Sequence, residues 1–155
     1  MKPIQPVALR DRATPTQIEH HLRAVDAHFV PPLSSRVRLD AYAAKLHARA
    51  ARFEAWDDTE LVGLVAMYCN DESRGVAFIS NVSVLKHWRG KGVADLLLKS
   101  AIAYAASQHV AFVELEVDAR NAPAVRRYEA LGFESSGDAA ERMQMSLRVG
   151  QLIGD

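Results

Sequence analysis

The chain has 155 residues, 49% hydrophobic and 25% charged, with nineteen Lys and Arg against nineteen Asp and Glu. This length and balance fit one globular domain with an ordinary core, and exclude a disordered chain, a globally basic nucleic-acid binder and a polyacidic tail. A lone Cys69 excludes a disulfide framework and a multi-cysteine zinc site, and no stretch is apolar enough for a signal peptide or a membrane span. The expectation is a soluble, cytoplasmic protein with residues 1–155 as a single domain.

Thr14-Pro15-Thr16 reads as the start of a first helix, with a Thr cap and Pro in the first turn. Ile18, Leu22 and Val25 continue it until Phe29-Val30-Pro31-Pro32 stops it. A second helix is predicted from Asp40 to Glu54 along Leu39, Ala43, Leu46, Ala50 and Phe53, followed by a polar turn over Trp56–Glu60. Leu61–Tyr68 and Val76–Leu85 are apolar runs joined by the turn cluster Asn70–Gly75, which reads as a hairpin. Then come a helix over Val93–Gln108, a strand over Ala111–Val117, a helix over Ala122–Leu131 capped by Gly132, and a strand over Arg142–Val149. The order predicts an α/β protein (of α+β type) with a mixed central sheet flanked by helices. The sheet is antiparallel early and has a parallel pair where a helix crosses over.

The stretch Val82-Ser83-Val84-Leu85-Lys86-His87-Trp88-Arg89-Gly90-Lys91-Gly92-Val93-Ala94 runs from a strand through a glycine turn into a helix. Unpaired backbone N–H groups and a partial positive charge make such a helix start suitable for phosphate. Glycines allow close approach, and Arg89 and Lys91 add positive charge. Two common phosphate patterns fail. Leu85 stands where a Walker loop needs its first glycine, and Asp95 occupies the third glycine position of a dinucleotide fingerprint. Taken alone, Gly90-Lys91-Gly92 reads more readily as a plain strand-to-helix turn than as a phosphate site.

A second motif changes that balance. Arg89-x-x-Gly92-x-Ala94 resembles the [RQ]-x-x-G-x-[GA] pyrophosphate motif of the GCN5-related N-acetyltransferases. Asn121-x-x-Ala124-x-x-x-Tyr128-x-x-x-Gly132-Phe133 is similar to a downstream segment of that family, and one helix and one strand separate the two. The resemblance implies acetyl-coenzyme A held where two parallel strands, Ile79–Leu85 and Phe112–Val117, splay apart. Backbone groups of Val82, Ser83 and Val84 would pair with the pantetheine arm, and one of their amides would polarise the thioester carbonyl. Amides of Arg89, Gly90, Lys91, Gly92, Val93 and Ala94 would hold the pyrophosphate, and Asn121 would contact the pantetheine end. Tyr128 would be the general acid toward the departing thiolate, against the alternative of a core tyrosine.

The base is less evident. Ser80-Asn81-Val82-Ser83 carries no carboxylate where many family members place a Glu. Leu115-Glu116-Val117 resembles the L-E-V segment of the bacterial ribosomal-protein alanine acetyltransferases, which implies Glu116 as base, with an ordered water chain or a plain ion pair as alternatives. Alternation puts Glu114 and Glu116 on one strand face.

Arg36, Arg38, Lys45, Arg49 and Arg52 make basic the region that the resemblance implies as the acceptor side, compatible with an anionic acceptor or with a solvated face. Phe29–Leu33 fits a lid or a connection, the six histidines show no metal-ligand spacing, His87 reads as a surface residue, and Cys69 reads as an inert small hydrophobe. The implied function is direct acetyl transfer from acetyl-coenzyme A to a primary amine of a small molecule. A protein N-terminus or lysine as acceptor, or a non-catalytic coenzyme A-binding module, is the alternative. Neither metal, nucleic acid nor membrane is expected as a partner, and a monomer or a homodimer is open.

Overall fold

The computed structural model describes residues 6–69, 75–135 and 141–149. Among the described residues seven strands and four α-helices follow one another as β1 (Val7–Arg10), α1 (Pro15–Val25), α2 (Leu39–Arg49), β2 (Ala51–Asp57), β3 (Glu60–Tyr68), β4 (Val76–Val84), α3 (Val93–Ser107), β5 (Phe112–Asp118), α4 (Ala122–Ala130), β6 (Glu134–Ser135) and β7 (Arg142–Arg148). They form one sheet in the order β1-β2-β3-β4-β5-β7-β6. All neighbours are antiparallel except β4 and β5, which α3 connects. The mixed sheet with a parallel pair agrees with the expectation from sequence. The predicted Asn70–Gly75 turn lies outside the described residues except for Gly75.

Both faces of the sheet are covered. Phe53, Val62, Val65, Ile79, Leu97, Leu98, Leu115 and Phe133 belong to the core on the α3–α4 face. Ile18, Leu22, Leu46, Leu61 and Leu64 belong to the core on the α1–α2 face. Gly63 lets α3 lie close, since a Cβ there would sit 2.7 Å from Cγ1 of Val93. Helix α1 starts as predicted: Oγ1 of Thr14 accepts from the Gln17 amide (3.1 Å), and Oε1 of Gln17 accepts from the Thr14 amide (2.9 Å).

The predicted helix over Asp40–Glu54 is corrected. Helix α2 ends at Arg49, and Ala51–Asp57 forms β2, so Trp56 and Asp57 are strand rather than turn. Arg52 therefore does not share a helical face with Lys45 and Arg49. It is buried, and its guanidinium donates to the carbonyls of His47 (3.0 Å) and Leu46 (3.3 Å), closing the C-terminus of α2. Its Nε lies 3.1 Å from Oε2 of Glu54, which is fully buried. Glu54 Oε1 also accepts from the amides of Arg12 (2.9 Å) and Ala13 (3.2 Å) and from Nε1 of Trp56 (3.2 Å). A buried ion pair is tolerated where further hydrogen bonds satisfy it, as here. The edge strand β1, at Val7–Arg10, has no counterpart in the sequence reading.

Candidate active site

The parallel register of β4 and β5 runs from Val76–Phe112 to Ile79–Leu115 and then stops. Beyond that vertex the strands part, and the edge of β4 from Ser80 to Val84 faces an open cleft of about 500 Å³. A bulge reinforces the opening. Against β3, Ala66 pairs with Asn81 and Met67 with Ile79, leaving Ser80 as the extra residue. The bulge shifts the side-chain alternation, so Asn81 and Ser83 turn toward α1 while Val82 and Val84 join the α3-side core.

Where Asn81 and Ser83 face α1 they meet a buried histidine. His21 Nδ1 lies 2.8 Å from the Leu61 carbonyl, so it carries the hydrogen, and Nε2 lies 2.9 Å from Ser83 Oγ. Ser83 Oγ is also 2.7 Å from Oδ1 of Asn81. Burial holds His21 neutral, with its pKa lowered to about 4. Ser80, on the bulge, hydrogen-bonds the Tyr42 hydroxyl at 2.6 Å. No spacing rule flags this cluster, because its members come from α1, α2 and β4.

At one end of the cleft β4 passes through Lys86–Trp88 into the glycine turn. Gly90 and Gly92 have φ of 77° and 83°, a left-handed backbone that favours glycine. A Cβ at either would meet nothing within 4 Å, so the space over the turn is open. Helix α3 begins at Val93 with no side-chain cap, leaving its first amides available to a ligand. Arg89 Nε donates to the Val84 carbonyl (2.9 Å), so this side chain closes the loop onto β4 as well as lining the cleft. Lys91 is exposed and does not line the cleft, whereas Val82, Ser83, Val84, Arg89, Gly90, Gly92, Val93 and Ala94 all do.

The opposite wall comes from β5 and α4. Asp118 forms the turn between them: its Oδ1 accepts from the Arg120 amide (2.8 Å), and its carbonyl from the Asn121 amide (2.9 Å). The Arg120 guanidinium and amide hold the Asp118 carboxyl down to about 2. Asn121 then caps α4 through the Ala124 amide (3.3 Å) and lines the cleft. Tyr128 lies two turns on, 6% exposed, with its ring edge against Phe133 at 5.9 Å. Burial pushes its hydroxyl up to about 12, and the nearby Arg127 pulls the other way. Glu116 is half exposed at the vertex, with Oε1 3.7 Å from Arg142 Nε. Alternation along β5 places Glu114 and Glu116 opposite the core residues Val113, Leu115 and Val117, as expected.

The connection before α2 also reaches the site. His28, Phe29, Val30 and Arg36 line the cleft. Burial and the charges of Arg89 and Arg127 lower the His28 pKa, marking this wall as electropositive. Away from the cleft, burial pushes the Cys69 thiol up, so it stays protonated. Among the described residues no three His, Cys, Asp or Glu side chains converge, and no helix is long and apolar enough to cross a membrane.

Comparison with known proteins agrees with this fold. The Acetyltransferase (GNAT) family profile matches residues 17–133. An uncharacterized N-acetyltransferase of Methanocaldococcus jannaschii is 36% identical over 92 residues, covering 57% of this chain and 41% of that protein. Streptothricin acetyltransferase of Escherichia coli is 34% identical over 88 residues, covering 57% of this chain and 49% of that protein. The matched stretch thus spans less than half the length of either relative. The crystal structure of the ribosomal-protein-S18-alanine N-acetyltransferase of Escherichia coli superposes with a TM-score of 0.76 at 20% identity, covering 96% of this chain and 97% of that one. At that identity the likeness concerns the fold. The chain belongs to the GNAT acetyltransferase family.

Proposed function

We propose that this family member transfers the acetyl group of acetyl-coenzyme A directly to a primary amine of a small molecule, as a cytoplasmic enzyme of one domain. The observation that carries the reading is the parting of β4 from β5 after Ile79 and Leu115, with the glycine turn at one end and Asn121 and Tyr128 on one wall. A free strand edge, two open left-handed glycines and an uncapped helix start suit a ligand with an amide-bearing arm and a pyrophosphate. When bound, the coenzyme supplies an activated acyl group on a sulfur leaving group.

Each chemical demand has a candidate residue. An amine acceptor is protonated near neutral pH, and Glu116 at the vertex takes that proton, directly or through water. The freed nitrogen lone pair forms the new C–N bond as the C–S bond breaks. An amide in the Val82–Val84 edge donates to the carbonyl oxygen as charge builds there. Tyr128 donates its hydroxyl hydrogen to the departing sulfur. A phenol pushed up to about 12 stays protonated throughout the neutral range. The same high value makes full release of the proton costly, and Arg127, whose charge favours the phenolate, offsets part of that cost. The arm is held by the β4 edge and Asn121, and the pyrophosphate by amides of Arg89–Ala94.

Release of coenzyme A thiol from acetyl-coenzyme A, measured with a pooled amine panel for wild type and Tyr128→Phe, tests the reading. Amine-dependent release that falls at least a hundredfold in Tyr128→Phe supports it. Binding without turnover, or turnover indifferent to the substitution, contradicts it. Release driven only by peptide N-termini or lysines would move the acceptor to a protein.

A further inference from the structure

We propose that the acceptor is an amine that also carries an anionic group, a carboxylate or a phosphate, which Arg36 holds. The inference rests on the acetyl-transfer reading above and narrows its substrate class. Past the vertex the main cleft continues into a hollow of about 190 Å³ on the sheet face covered by α1 and α2. Leu33 and Phe78 give it apolar walls, while Ser80, Arg36, Glu116 and Arg142 give it polar ones. These last four line the main cleft as well, so the hollow opens where the acyl group would be presented. None of Trp88–Asp95 lines this hollow, although Arg36 and Arg142 also line the main cleft that holds the turn, so the affinity for coenzyme A is measured beside the acceptor preference.

Charge then selects the occupant. Arg142 is matched by Glu116 at 3.7 Å. Arg36 has no ion-pair or hydrogen-bond partner through its guanidinium among the described residues. The hollow thus holds two cations against one carboxylate, a surplus of one positive charge. A simple amine enters as an ammonium ion. Glu116 receives it, but nothing it carries answers Arg36, and a polyamine adds further like charge. An acceptor with an anion beside its amine answers both groups at once. A guanidinium suits that anion because it offers a planar pair of donors to a carboxylate or phosphate. The hollow lies below the range of roughly 300–1,000 Å³ usual for drug-sized ligands, so the part of the acceptor it encloses is about the size of an amino acid.

Matched acceptors test this on the full chain: phenylalanine against phenylalaninamide, and 2-aminoethyl phosphate against ethanolamine, with spermidine as the polycation. Thiol release gives kcat/KM for each, and calorimetry gives the affinity for coenzyme A. At least one anionic member should exceed its neutral partner by about tenfold or more. Arg36→Gln should collapse that ratio about tenfold, mainly through KM, and Arg36→Lys should restore part of it. The affinity for coenzyme A should stay within about twofold in both variants. Preference for the neutral members or spermidine, equal slowing of both members of a pair by Arg36→Gln, or failure to acetylate any anionic amine would overturn the proposal while coenzyme binding and transfer stand. Absence of coenzyme A binding in wild type would remove the underlying reading, and this proposal with it.

Discussion

The two walls of the cleft are encoded in different ways. Residues 79–133 supply the proposed coenzyme side through local chemistry: a strand edge, two glycines at φ of 77° and 83°, a helix start, and Tyr128 two turns along α4 from its cap Asn121. The proposed acceptor side gathers Arg36 and Tyr42 from the α2 region, Ser80 from β4, and Glu116 and Arg142 from β5 and β7. Phosphate and amide recognition depends on backbone geometry, which demands particular residues at fixed spacing. Acceptor recognition depends on side chains brought together by the fold, and no spacing records them. One wall is therefore readable as a motif and the other only as an assembly.

The largest expected effect belongs to the coenzyme wall. Tyr128→Phe should lower kcat by about a hundredfold to ten-thousandfold while the affinity for coenzyme A changes less than about twofold, measured by thiol release and calorimetry. A loss confined to coenzyme affinity would make Tyr128 a packing residue and blur the contrast between the walls.

The next effect probes, through pH, the buried histidine that packs behind the β4 edge. His21 is neutral in the fold with a pKa of about 4, against about 6.5 when unfolded. Between these values the unfolded chain binds more protons, so stability present above pH 6.5 is lost as pH falls toward 4. The loss reaches about 3 kcal/mol. Urea titrations across that range should show it, and His21→Gln should flatten it. An equally steep acid limb in the variant would assign the effect to carboxylates elsewhere.

Two glycine substitutions separate packing from ligand geometry. Gly63→Ala places a Cβ 2.7 Å from Val93 Cγ1, at the first residue of α3. It should cost about 1–3 kcal/mol in thermal or urea unfolding, because the core cannot give way without shifting α3. Gly92→Ala meets no atom within 4 Å, so its cost is conformational, about 1–2 kcal/mol for a left-handed residue. It should also weaken coenzyme A binding severalfold while KM for the amine holds. If Gly92→Ala altered amine KM instead, the turn would belong to the acceptor wall.

The same division explains what the sequence reading reached. From Leu61 onward the described strands and helices other than the two-residue β6 are close to their expected places, because apolar runs and Gly132 mark them locally. The error fell at Ala51–Asp57. There Phe53 continues the apolar spacing of α2, and Arg52 and Glu54 look like residues of a solvated helix. Burial reverses the reading, since Arg52 closes the end of α2 and Glu54 gathers the amides of Arg12 and Ala13. Charged residues in a buried strand carry no local sign of the partners that justify them. The bulge at Ser80 was equally hidden, although it turns Asn81 and Ser83 toward His21. Among the candidate site residues, Lys91 is exposed and outside the cleft lining, while Arg89 has a second task in binding the Val84 carbonyl.

If the gap between β4 and β5 holds coenzyme A with its sulfur at Tyr128, a crystal structure of the chain with coenzyme A will show it. The pyrophosphate is expected on the amides of the Gly90–Ala94 turn, the pantetheine arm along Val82–Val84, and the sulfur within hydrogen-bond reach of the Tyr128 hydroxyl, roughly 3–4 Å allowing for the size of sulfur. Coenzyme bound outside this cleft, or with its sulfur remote from Tyr128, would contradict it.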